Sequence, residues 1–207
     1  MKKLTCLALA ILLCLASIVA VAAPTPSKTT ANLNRVIVTG ENLPADAGFI
    51  VRIVEETETD KQAHLDACKV EKEKLAAEKE LENYFGAVTD AAGKPVDLKQ
   101  LVGADKLNVF EFAPLVTSGY KKNYGKVTAK LLFATPYEVG EKVGVLIGLV
   151  NTKKDGTQSV KWTAYEGVGV EADKENVEMQ GCVQVELEPK TLIAIQEGVA
   201  LVAIVSD

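Results

Sequence analysis

Apolar and polar residues alternate in short runs on either side of one long charged stretch, and that pattern lays out the elements. Arg35-Val36-Ile37-Val38 and Phe49-Ile50-Val51-Arg52-Ile53-Val54 predict two strands that form a hairpin across a long loop from Gly40 to Gly48. Gly and Pro are then absent from Thr59 to Phe85, where Ala, Glu, Lys and Leu dominate. With the capping-box pattern Thr59-Asp60-Lys61-Gln62 at its start and Gly86 at its end, this stretch predicts one helix of about 25 residues. Its apolar positions, Leu65, Cys68, Val70, Leu75, Leu81, Tyr84 and Phe85, form a narrow stripe and keep no heptad. One side of the helix therefore faces solvent, as a plain solvated face or as a partner-binding one.

Asp97 is placed to cap a short helix through Leu98 and Leu101 up to Gly103, and Leu107 to Phe112 predicts a strand. From Gly125 the pattern is β. Lys126 to Ala134 puts Val127, Ala129, Leu131 and Phe133 on one face, whereas Lys142 to Val150 is apolar on both, as in a central strand. Asp155-Gly156 marks a hairpin into Ser159 to Glu166. Val177 to Leu187 alternates, with Cys182, Gln184 and Glu186 opposite Val183, Val185 and Leu187, and Gly181 as the site of a bulge. Pro189 opens a short helix stopped by Gly198, and Val199 to Val205 is the last strand.

The expected fold class is α+β. An α+β module with one long helix spans 31–118, and a mostly antiparallel immunoglobulin-like β-sandwich spans 119–207. The polar segment Thr117 to Gly125, carrying Tyr120 and Tyr124 in solvent, is the expected boundary.

Four segments carry a resemblance. Leu131-Leu132-Phe133-Ala134-Thr135-Pro136-Tyr137, Val143 to Gly148, Val160-Lys161-Trp162 and Ala200 to Ser206 are similar to the C-terminal β module of uncharacterised exported bacterial proteins with two modules. The likeness covers about residues 125–207. It implies an exported protein of two modules and brings no functional residues with it.

The N-terminus agrees with export. Lys2 and Lys3 precede an apolar stretch from Leu4 to Val21 that ends in Ala20-Val21-Ala22, so residues 1–22 read as a signal peptide cut near Ala22, followed by a linker at 23–30. An uncleaved membrane anchor is the alternative reading of that stretch. Cys14 lacks the small preceding residue that a lipobox needs. The whole chain has a net charge of −5. Loss of the two lysines with the signal leaves about −7, which opposes nucleic acid and favours solubility. The expected location is secreted or periplasmic, with no stable membrane anchor once the signal is removed.

Candidate chemistry is sparse. His64 is the single histidine, and it falls in a charged helix without a strained nucleophile-bearing turn nearby. With Cys68 one turn on it makes at most half a zinc site. Acidic pairs are too common to single out a glycosidase pair, and the glycines at 144–148 and 167–169 precede no helix that would cradle phosphate. No catalytic, metal or cofactor site is therefore expected, and the protein is not expected to be an enzyme. Cys68 and Cys182 are left either as a disulfide across a very long loop or as two free thiols.

Tyr137, Trp162 and Tyr165 are the candidate contacts for a partner or a sugar, with Trp162 as a core residue and Tyr165 on the opposite face as the competing arrangement. The expected function is an exported non-catalytic interaction module of the cell envelope or exterior, binding a protein or glycan partner through a surface or an edge strand. A carbohydrate or small-ligand binding module is the alternative.

Overall fold

A computed structural model describes residues 36–44, 46–171 and 181–207. The expected signal peptide at 1–22, the linker at 23–30 and the start of the strand expected from Val177 lie outside the described residues.

Among the described residues eight strands form one antiparallel sheet: β1 (Val36–Thr39), β2 (Ile50–Ile53), β3 (Asn108–Ser118), β4 (Val127–Phe133), β5 (Lys142–Thr152), β6 (Gln158–Gly169), β7 (Gly181–Leu187) and β8 (Val199–Ser206). Their order is β1-β4-β7-β6-β5-β8-β3-β2. The joint between β6 and β7 is short, with Gly167, Val168 and Gly169 opposite Val185, Gln184 and Val183. The sheet folds at this joint, so β1-β4-β7 lies over β6-β5-β8-β3-β2. The outermost strands, β1 and β2, approach each other, but they pair with β4 and β3 instead of with one another, so the expected hairpin does not form. The result is a nearly closed, barrel-like sandwich.

The period-two pattern fixes which residues face inward. Val127, Ala129, Leu131 and Phe133 of β4 and Val183, Val185 and Leu187 of β7 meet Val143, Val145 and Ile147 of β5 and Ala200, Val202 and Ile204 of β8. Each larger side chain removed from water contributes about 1.5–3 kcal/mol. A helix, here α4 (Pro189–Glu197), inserts Leu192 and Ile195 into the same core. It is tied there by the Thr117 hydroxyl, which donates to the Leu192 carbonyl at 3.2 Å, and by the Tyr120 N–H, which donates to Gln196 Oε1 at 2.8 Å.

The two tyrosines expected in solvent at the boundary are core. Tyr120 and Tyr124 are both buried, with ring centroids 5.2 and 6.5 Å from that of Phe49. Their polar ends do not obstruct this, since the Tyr120 hydroxyl donates to the Gly125 carbonyl. Strands from both sides of residue 118 pair, β1 with β4 and β3 with β8. The sheet does not divide at 118/119, and one folded sheet stands where two immunoglobulin-like sheets were expected.

Three helices cover the outer face of the five-stranded part: α1 (Gln62–Ala77), α2 (Leu81–Phe85) and α3 (Leu98–Val102). Cys68, Phe85, Leu98 and Val102 pack there on Phe112, Leu146, Trp162, Leu201 and Val205. Strands β5 and β8 are thus buried on both faces, which accounts for their continuous apolar runs.

The long helix expected from 59 to 85 is interrupted. Glu78 and Glu80 are extended, with ψ of 142° and 125°. The charged Glu78-Lys79-Glu80 offers nothing to bury, while Tyr84 and Phe85 have an aromatic patch to reach. Breaking the helix turns them back onto Trp162. The expected capping box does not form either. Thr59–Lys61 is a 3-10 turn, and neither helix start has a side-chain cap.

Three other local signals hold. Asp97 Oδ1 accepts from the Lys99 and Gln100 N–H groups, Gly103 closes α3 with φ 74°, and Gly156 turns the β5–β6 hairpin with φ 82°. Gly181, expected in a bulge, pairs in regular register with Phe133. Its role is close approach, since a Cβ there would lie 1.7 Å from the Thr135 carbonyl oxygen.

Candidate binding groove

Strand β3 carries the most open part of the sheet. Its ladder with β2 covers Leu115 to Ser118 and stops at Ile53, and the last link beyond it is the Val54 N–H donating to the Pro114 carbonyl at 3.0 Å. Backbone groups alternate sides along a strand, so those of Phe112 point the same way as the Pro114 carbonyl. No described strand lies beside them there. Proline suits this place, because its missing N–H would break a ladder on a paired side. Just beyond, Phe110 is the extra residue of a bulge, with Val109 opposite Val205 and Glu111 opposite Ile204.

A groove of about 980 Å³ opens at this edge, bounded by α1 on one side and by the chain leaving β2 at its end. Four consecutive residues of β3, Glu111 to Pro114, line it. Phe112 belongs to the outer core and Ala113 packs on the inner one, so a groove that touches both meets the strand edge-on. Leu65 and Cys68 from α1, Ile53 at the end of β2 and Val54 after it complete its apolar part.

Its charge is acidic. Asp66 and Glu73 on α1 and Glu55 and Glu56 at the end wall outnumber two lysines, Lys69 and Lys72, while the Glu111 carboxylate is turned to Thr135, whose hydroxyl donates to it at 2.9 Å. The end wall is held by Glu58, whose carboxylate pairs with the Arg52 guanidinium at 2.5 Å and accepts the Glu55 N–H at 2.8 Å. Burial pushes the Glu58 carboxyl up, but these two hydrogen bonds outweigh it and hold the group below its ordinary range.

The three aromatic candidates are separated and buried. Trp162 is 2% exposed on the outer face, 5.1 Å from Phe85 and 5.9 Å from Phe112 between ring centroids. Tyr165 is on the inner face, as the odd spacing requires, and its hydroxyl bonds with that of Thr191. Tyr137 lies in the β4–β5 loop, between Phe110 and Phe133, and its buried hydroxyl has no hydrogen-bond partner among the described residues. These residues form no shared platform.

Cys68 and Cys182 are free and buried, and the disulfide is not formed. Cys68 sits on α1, which packs on β3 and β8, whereas Cys182 is on β7. Cys68 packs on the outer face of the five-stranded part, whereas β7 belongs to the layer on the far side of the fold, so the two thiols do not meet. Burial pushes both thiols up.

His64 lines a separate pocket of about 200 Å³ with Arg52, Lys61 and Ser118. Burial lowers its pKa, and nearby Lys61 and Arg52 add to this against a hydrogen bond to the Gly198 backbone. No group of three or more His, Cys, Asp or Glu residues converges as a metal site among the described residues. None of their helices is long and apolar enough to cross a membrane.

The sequence reading ended this strand at Phe112 and missed the edge. Pro114 inside Phe112-Ala113-Pro114-Leu115-Val116 was the signal that would have found it, since proline in a strand marks an unpaired side. Comparison with protein-family models, curated proteins and solved structures gives no match for this chain.

Proposed function

We propose that this is an exported, non-catalytic interaction module that holds a partner in the groove between α1 and the open edge of β3. The observation that carries the reading is the edge itself: among the described residues, backbone groups of β3 face a groove of about 980 Å³ and no neighbouring strand. Edge strands bind other chains through main-chain hydrogen bonds, and their affinity needs no catalytic apparatus. Residues 1–22 serve as the export signal, and the exported form begins near Ala23.

The test is site-specific photocrosslinking in the exporting cell, with the crosslinker at position 69 in the groove or at position 154 on the β5–β6 turn, together with the N-terminal mass of the exported protein. Protein adducts specific to position 69 are expected. Adducts that are absent there, or the same at both positions, overturn the reading.

A further inference from the structure

We propose that the occupant of the groove is an extended, basic polypeptide segment that adds to β3 as a further antiparallel strand. This deepens the interaction reading above and rests on it. Three features on the same groove select this ligand. The backbone of Phe112 faces the side where β2 has ended, so an incoming strand finds a ladder already in register with Val54. The apolar floor, with Leu65 on one side and Phe112 on the other, accepts the alternate side chains of an extended chain. The rim is acidic, which selects lysine and arginine and speeds their approach.

The same features exclude a second copy of this chain. Its own β3 edge brings the same acidic rim, and like charges across an interface repel. The bulge at Phe110 and the proline at 114 also confine the usable edge to a few residues, as edge strands do when they avoid pairing with themselves.

The test uses the exported chain and three labelled peptides of equal length, read by fluorescence anisotropy at low salt. One alternates lysine with valine, one alternates glutamate with valine, and one keeps the lysines but has proline at the backbone-donating positions. The first is expected to bind, weakening as salt rises, with at least tenfold weaker binding of the other two. Binding is expected to slow amide exchange across Val109 to Phe112. D66K with E73K, both on the exposed side of α1, is expected to weaken the first peptide tenfold or more. E41K with E166K, the same charge change at exposed positions outside the groove, is expected to leave it unchanged.

Equal binding of the proline peptide, no slowing at Val109 to Phe112, or equal loss in both variants overturns the proposal. If the basic peptide fails while crosslinks at position 69 persist, this inference falls and the interaction reading stands. If the crosslinks are missing too, both fall.

Discussion

The Tyr84 hydroxyl donates to Glu71 Oε2 at 3.1 Å, joining the two helical pieces across the break at Glu78 to Glu80. Glu71 is buried to 3% exposure, and its other oxygen accepts from Lys74 Nζ at 2.6 Å. A carboxylate taken from water needs such partners. Tyr84→Phe removes one and should lower stability by about 1.5–3 kcal/mol, the range for a hydrogen bond to a charged group. Urea unfolding measures this. A double-mutant cycle with Glu71→Gln should return a coupling of about 1 kcal/mol or more, and additivity would show that the bond does not hold α2 in place.

The tyrosines make the fold sensitive to base. Burial is the main cause that pushes Tyr84, Tyr120, Tyr137 and Tyr165 above their ordinary range, with the Glu71 charge adding to it at Tyr84. A group whose folded pKa is raised contributes stability that is complete below the unfolded value and lost as pH rises beyond it. Their contribution should therefore be constant up to about pH 10 and then fall by about 1.4 kcal/mol per pH unit for each tyrosine still protonated in the fold, adding to the fall that the two buried thiols begin at lower pH. Urea midpoints across that range test the slope, and ultraviolet titration should show phenolate appearing together with unfolding.

Gly181→Ala should be among the costliest single-methyl changes. The added Cβ meets the Thr135 carbonyl oxygen at 1.7 Å and the Tyr137 ring at 2.8 Å. A backbone carbonyl cannot swing away as a flexible side chain does, so a loss of about 3 kcal/mol or more is expected. Thermal unfolding checks it. Little change in Tm would mean that the β4–β5 loop does not lie against β7.

The free thiols give a prediction without mutation. Purified under oxidising conditions and then unfolded without reductant, the protein should take an alkylating label on both Cys68 and Cys182, because the fold keeps them on separate layers where they do not meet. In the folded state both should react slowly, since burial disfavours the thiolate. A mass lacking both labels after unfolding would show the bridge.

Local chemistry was legible because it is written in neighbours. Asp97, Gly86, Asp155-Gly156 and Pro189 each announce a cap or turn within a few residues, and the structure uses all of them. The inward faces of β4 and β7 followed from alternation alone. Association across long separations left no such mark. Helical propensity from Thr59 to Phe85 is uniform, so the break at Glu78 depends on Trp162, which lies on a strand far along the chain. Tyr120 and Tyr124 sit in a polar stretch, and only the position of Phe49 and α4 makes them core. The candidate groove was invisible for the same reason: an open edge is defined by where a different strand, β2, happens to end.

Strand β8 has a further consequence, for the order of events during synthesis. It lies between β5 and β3 and touches both over most of its length. Until Val199 to Ser206 has left the ribosome, β3 and β5 have no neighbour between them, and the α1 to α3 layer has only a divided surface to cover. Upstream segments cannot complete the core by themselves, because non-local pairing must wait for its partner. The β5–β6 hairpin can form from neighbours alone, but the five-stranded layer and its helical cover close only when this strand arrives between β5 and β3.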